Sequence, residues 1–299
     1  MNGSLALSGG ILTLARHARS VEIRTYDLDG GRIGAGFSFA GLAGGRARAD
    51  GIAVDRDMKL RVADSASLAL RTFSVFGVEL DSLTAAGAED RAGNIGEPVA
   101  CAVDGIENDL RVLVGSRGIR RHAVQAFDRA GNHVRTLRSR GDANEAFREV
   151  VRVAIDGRFQ TVCDAGTGLI QVFRDGEFHF ALKAPRPRGA RVDATLTAAR
   201  RLSDGRFVVA TAGVEGSGVH LIEATGRLIH SIALAGERTS EVFEPSDIAL
   251  DESTADRRSR IAVVDCDGDR VQVYNLEGVC YGSFADLPRA EDPVAEEST

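Results

Sequence analysis

Tryptophan is missing from this chain of 299 residues, and all aromatic residues together make up only 5% of it. Flat side chains on which nucleic-acid bases could stack are therefore scarce. Lysine is nearly missing too: Lys59 and Lys183 stand alone, and the remaining positive charge is arginine. That bias reads first as GC-rich coding and second as selection for guanidinium forks. A formal charge of −6 gives no global pull toward nucleic acid. No apolar run reaches the ~18 residues of a membrane-spanning helix, so no membrane partner is expected. The four cysteines, Cys101, Cys163, Cys266 and Cys280, form no CxxC pair. They are expected to be free buried thiols in a reducing, cytoplasmic setting rather than metal ligands or disulfides. Proline is rare, with 6 against 34 glycines, so turns must be made by Gly and Asx residues. Neither a Gly-x-Ser-x-Gly elbow nor a phosphate loop occurs. The glycine-rich run 213–218 lacks the lysine of a phosphate loop and reads as a turn between strands.

What the chain does have is repetition. Residues 4–30 and 51–77 superimpose without a gap at an offset of 47, with Leu5 on Ile52, Ala15 on Val62, Tyr26 on Phe73 and Gly30 on Gly77. A bulky apolar residue followed by glycine recurs at Tyr26/Gly30, Phe73/Gly77, Phe127/Gly131, Phe173/Gly176, Ile222/Gly226 and Tyr274/Gly278. Each closes an alternating run such as Val271-Gln272-Val273-Tyr274, the pattern of a half-buried strand. The glycine supplies the positive φ that a tight hairpin requires. A period of 40–50 residues made of strands marks a radial propeller. The expectation is an all-β, six-bladed β-propeller with four antiparallel strands per blade. Its blades span 4–40, 50–86, 97–140, 148–184, 193–235 and 244–284, and an acidic tail follows at 285–299. Leu5–Ala15 imitates a weak export signal, but it lacks a basic start and aligns with Ile52–Val62. It therefore reads as blade material, with the mature chain starting near Met1 and remaining unexported. Two ways of closing the ring stay open: Ser4–Ser8 serves its own blade and the ring closes by packing, or the segment near Phe284 reaches across.

The last repeat carries the most specific phrases: Glu244-Pro245-Ser246-Asp247-Ile248-Ala249-Leu250-Asp251, then Ile261-Ala262-Val263-Val264-Asp265, then Arg270-Val271-Gln272-Val273-Tyr274, then Gly278. This resembles the NHL repeat, and the second and fourth repeats share its pattern. The resemblance implies a six-bladed propeller but not one activity, because fold does not fix function. Some NHL propellers bind RNA through one loop face, and related propellers include lyases and lactonases with a metal on the axis. The lack of tryptophan speaks against WD repeats.

Asp64, Asp164 and Asp265 each stand nine residues before the aromatic residue of the third strand, and His17 takes that place before Tyr26. A carboxylate at such a turn can accept backbone N–H groups, so these four residues are expected to be structural. The alternative is a ring of acids holding a cation.

In a propeller the innermost strand comes first, so second-to-third and fourth-to-first loops share one face. Arginines gather in those loops: Arg117, Arg120, Arg121 and His122; Arg138 and Arg140; Arg186, Arg188 and Arg191. They form a candidate binding arc for a protein or a small anionic ligand, with RNA as another partner. The same loops carry many acids, as soluble surfaces do. The first strands hold no histidine, which argues against zinc chemistry, although aspartates and carbonyls could hold calcium at the axis. The resulting expectation is a non-catalytic binding module without a cofactor. A metal-dependent hydrolase or lyase is the alternative, and a lectin-like propeller a third reading. The sequence assigns no oligomeric state.

Overall fold

The computed structural model describes residues 4–284 except 9, 18–20, 85–91, 106–110, 119–121, 141–145, 186–193, 214–215, 237, 253–258 and 266–269. The segment expected to be an acidic tail, 285–299, lies outside the described residues, as does Cys266. Blade one contains β1 (Ser4–Ser8), β2 (Ile11–His17), β3 (Val21–Tyr26) and β4 (Arg32–Phe39). Blade two contains β5 (Ala49–Val54), β6 (Leu60–Asp64), β7 (Ala69–Phe73) and β8 (Glu79–Thr84). Blade three contains β9 (Glu97–Asp104), β10 (Arg111–Arg117), β11 (His122–Phe127) and β12 (His133–Leu137). Blade four contains β13 (Val150–Asp156), β14 (Phe159–Asp164), β15 (Leu169–Arg174) and β16 (Glu177–Lys183). Blade five contains β17 (Thr195–Arg201), β18 (Phe207–Ala212), β19 (Gly218–Ile222) and β20 (Leu228–Leu234). Blade six contains β21 (Pro245–Asp251), β22 (Arg260–Asp265), β23 (Arg270–Tyr274) and β24 (Cys280–Phe284). Every sheet has four antiparallel strands in chain order, so the six-bladed all-β architecture is the expected one.

Burial explains why the strands read as they do. Second strands such as β6 and β18 are buried along their whole length, because neighbouring blades cover both faces. β18 is accordingly a nearly continuous apolar run, whereas β6 buries Arg61 and Asp64 by pairing them with Asp55 and Arg71. The outermost strands alternate, as in Glu177–Lys183, because one face meets solvent.

Among the described residues the ring closes without exchange of a strand. β1 pairs with β2 in its own sheet, and β24 ends the sixth sheet. Between them Leu5, Leu12, Leu14 and Tyr26 of blade one pack on Ala249, Ala262, Val264, Val271 and Val273 of blade six. The Tyr26 and Phe284 rings lie 5.3 Å apart. Gly30 makes this approach possible: its φ is +90°, and a Cβ there would meet the Phe284 ring at 2.7 Å.

The gapless 47-residue alignment conceals a shift of register. Ala63 pairs with Leu70 and Asp64 with Ala69, whereas Ala15 pairs with Ile23 and Arg16 with Glu22. By backbone pairing Arg16, not His17, thus stands at the strand position of Asp64, and the side chains of both lie outside the described residues, as does the role expected of His17. Equal spacing in sequence hid a one-residue difference between the two second strands, and such a slip exchanges their faces.

In blades two to six the third strand carries a buried polar residue two positions before its apolar anchor. Gln125 Nε2 donates to Asn94 O at 2.6 Å, and Gln171 Oε1 accepts the Arg140 N–H at 2.9 Å. Gln272 Nε2 donates to Glu241 O at 3.1 Å, and Arg71 Nη1 donates to Ala40 O at 2.6 Å. Each tethers the loop entering its own blade. Blade five has His220 instead, fully buried, with Nε2 3.2 Å from Thr211 Oγ1 and Nδ1 3.0 Å from Ser231 Oγ. The Thr211 hydroxyl already donates to Gly216 O, so it accepts from Nε2–H, and Nδ1 accepts from Ser231. Burial lowers the His220 pKa from 6.5 to about 4. The unfolded chain therefore takes up a proton near pH 6.5 that the folded one refuses until about pH 4. His220→Gln restores the residue used by three other blades. Between pH 7 and pH 4 the wild type is expected to lose about 3 kcal/mol more stability than this variant, measured by urea unfolding. Equal pH dependence of the two would refute the assignment.

Candidate functional site on the propeller axis

Pairing with the second strands aligns the six first strands at the axis. Leu5, Ile52, Cys101, Val153, Ala199 and Ile248 stand opposite Leu14, Val62, Val114, Val162, Val209 and Val263. The residues just before them are Ser4, Gly51, Ala100, Arg152, Ala198 and Asp247, and those just after are Ala6, Ala53, Ala102, Ala154, Arg200 and Ala249. Small side chains dominate both tiers because six blades converge there. At Gly51 even a Cβ would come within 2.8 Å of the Ala100 Cα.

Three charged residues break the pattern, and they find each other. Arg152 Nε lies 3.1 Å from Asp247 Oδ2, and Arg200 Nη2 lies 3.1 Å from Asp247 Oδ1. Asp247 is 2% exposed and also accepts the Leu5 N–H at 3.1 Å and the Ile248 N–H at 2.8 Å. Arg152 Nη1 reaches across to Asp50 O at 3.2 Å. One carboxylate thus joins blades one, four, five and six.

A cavity opens on each side of this ion group. The upper one, about 250 Å³, lies on the face of the second-to-third and fourth-to-first loops. Arg48, Arg117 and Arg152 line it, together with Asp50, Glu149 and Glu244 and the hydroxyl residues Thr195, Thr197 and Ser246. The lower one, about 240 Å³, is walled by the alanine tier and holds Arg200. Asp247 borders neither cavity.

Of the arginines expected to form a binding arc, Arg117 reaches the upper cavity, where it pairs with Glu97 at 3.1 Å. Arg138 and Arg140 are exposed and do not border it, and the Arg140 guanidinium lies 5.9 Å over the Phe178 ring. Arg120, Arg121, Arg186, Arg188 and Arg191 lie outside the described residues. His122 is corrected from a loop-face ligand to a buried structural group. Its Nδ1 accepts the Val150 N–H at 3.0 Å, and burial, helped by nearby Arg117, lowers its pKa. Sequence reasoning missed Arg152, Arg200 and Asp247, which stand inside first strands and not in loops.

The Asp at the end of the second strand clamps the loop entering its own blade. Asp64 Oδ1 accepts the Arg48 N–H at 2.8 Å and the Ser67 N–H at 3.2 Å. Asp164 accepts the Arg148 N–H at 3.2 Å and the Glu149 N–H at 2.8 Å. Asp265 accepts the Glu244 N–H at 2.7 Å and pairs with Arg270 at 3.1 Å. Burial pushes the thiols of Cys101 and Cys163 up to about 12, which makes them poor nucleophiles. Among the described residues no group of three or more His, Cys, Asp or Glu side chains is placed to hold a metal ion. All six histidines stand on second, third or fourth strands, none on a first strand.

These features define a class, a six-bladed β-propeller whose axis is crossed by an ion group. No family model matches the chain and no curated protein sequence matches it, so the likeness to NHL repeats rests on its motifs. Solved structures share the fold. A protein of unknown function from Bacteroides caccae has a TM-score of 0.62 at 12% identity, covering 92% of this chain and 93% of that one. A catalytically inactive virginiamycin B lyase from Staphylococcus aureus, with a histidine replaced by alanine and solved with quinupristin, has a TM-score of 0.61 at 9% identity. That match covers 96% of this chain and 85% of the lyase. A streptogramin B lyase has a TM-score of 0.62 at 9% identity, covering 97% and 84%.

Replacing Asp64, Asp164 or Asp265 by alanine strands buried backbone N–H groups. Each variant is expected to lose about 2–4 kcal/mol in urea unfolding without a change in ligand affinity. Variants that melt like the wild type yet lose a ligand would overturn the structural role.

Proposed function

We propose that the protein is a binding module without chemistry of its own, and that it engages its partner through the upper face. The axial cavity seats a small polar ligand, or the end of a partner peptide, that carries a carboxylate beside hydrogen-bond donors. The observation that carries this reading is the lining of that cavity. Arginines and carboxylates alternate with hydroxyl groups there, in a volume of about 250 Å³. Arg117 and Arg48 stand at the rim with their side chains about half exposed, at 53% and 54%. The floor is Arg152, which pairs with Asp247 behind it, and Asp247 in turn accepts backbone N–H groups from two blades. Such prearranged polar groups give orientation and specificity to a small ligand.

The lyase alternative draws on the neighbours, one of which was inactivated at a histidine. His122, beside Val150 of the upper cavity, spends Nδ1 on the Val150 backbone. Among the described residues no histidine lines either axial cavity to support the alternative.

A thermal-shift screen of amino acids and dipeptides, run with calcium, with zinc and with chelator, tests the proposal. A ligand at a hundred times its Kd is expected to stabilise the protein by about 2.7 kcal/mol. The shift should vanish in the double variant Arg48→Ala, Arg117→Ala and should not depend on metal. A metal-dependent shift accompanied by turnover would sink the binding-module reading in favour of the enzyme. Retention on RNA at low salt, lost at high salt, would transfer the site to nucleic acid.

A further inference from the structure

The lower mouth of the axis differs in chemistry from the upper one. Its wall is the alanine tier, Ala6, Ala53, Ala102, Ala154 and Ala249, and its one departure from that tier is Arg200. The other charged groups around it have partners. Arg201 pairs with Asp156 at 3.2 Å and stacks 4.0 Å over the Phe159 ring. Glu252 accepts the Ser203 N–H at 2.9 Å.

Arg200 is matched only in part. Its Nη2 donates to Asp247 Oδ1 and its Nη1 to Ala199 O, each at 3.1 Å. A guanidinium has five N–H donors, so a further acceptor can be taken. Asp247 gives Arg200 one oxygen and Arg152 the other, so its single negative charge is divided between two cations. Arg200 is also 19% exposed, whereas Asp247 is 3% exposed and borders neither cavity. A ligand arriving from the lower face therefore meets Arg200 beside the alanine tier, and the two carboxylates that also line the mouth, Asp156 and Glu252, are engaged by Arg201 and by Ser203. A guanidinium in such a setting selects a planar anion through paired hydrogen bonds.

We infer that the lower mouth is a second ligand site, distinct from the upper cavity, which takes a small carboxylate with an apolar body. The carboxylate lies on Arg200 and the hydrocarbon lies against the alanine tier. A volume of about 240 Å³ corresponds to about eight water-sized units at ~30 Å³ each, which suits an aromatic or short-chain acid.

Calorimetric titration with benzoate, butyrate, acetate and benzyl alcohol tests the site. Benzoate is expected to bind one per chain. Acetate lacks the apolar body and benzyl alcohol lacks the charge, so each should bind at least tenfold more weakly. Arg200→Gln keeps a donor for Asp247 and should weaken benzoate at least tenfold. Should that variant fold poorly, Val54→Glu serves instead: it puts a carboxylate on the wall of the mouth and should exclude benzoate while the melting temperature holds. Arg117→Ala, on the opposite face, should leave benzoate affinity unchanged. No benzoate binding at millimolar concentration, unchanged binding in Val54→Glu, or loss of binding in Arg117→Ala would each overturn the inference.

Discussion

A four-stranded blade with an apolar second strand cannot cover both of its faces by itself. The rest of the structure depends on this constraint. Val208 and Val209 of β18 point to opposite sides, one into the core shared with blade six and the other into the core shared with blade four. Only a closed ring supplies both partners. Because no strand is exchanged between blades one and six among the described residues, closure depends on the contacts between these two blades. Apolar contact there is non-directional and does not set a register by itself. Directional bonds add that information: the Leu5 N–H to Asp247, and the ion pair of Arg260 with Asp29 at 3.0 Å.

The same convergence shapes the axis. Six first strands meeting around one line leave space for little beyond Gly, Ala and Ser. Where longer side chains enter, they fill the channel and must satisfy each other's charge, since an unpaired ion there would be costly. Arg152, Asp247 and Arg200 do so, and by crossing the channel they convert one passage into two wells. The upper well inherits loops of mixed charge. The lower well inherits only the ends of the first strands. Two sites of different character thus follow from one departure from the repeat.

Much of the fold was legible because it rests on local pattern. Tyr26, Phe73, Phe127, Phe173, Ile222 and Tyr274 mark the third strands, and the following glycines mark their hairpins. The role of Asp64, Asp164 and Asp265 as acceptors for backbone N–H groups also follows from their place in the repeat. The candidate site was less legible. His17 was misplaced because a gapless alignment does not report strand register. His122 looked like a loop residue among arginines, yet pairing with Arg117 draws it into β11, where Val150 of the next blade takes its ring nitrogen. Arg152 gave no signal in the loops where variation was sought, since it lies inside a first strand.

The amino-acid sequence by itself determined the blade: strand periodicity, turn chemistry and the internal clamp are all encoded within some fifty residues, where contacts are local. Tertiary structure alone decided what stands on the axis. Arg152, Arg200 and Asp247 belong to three different blades, and each looks like an ordinary surface charge when its own strand is read alone. They become one buried group because ring closure carries three separate first strands to the same line and excludes water there. Within that line a charge is tolerated only beside its opposite.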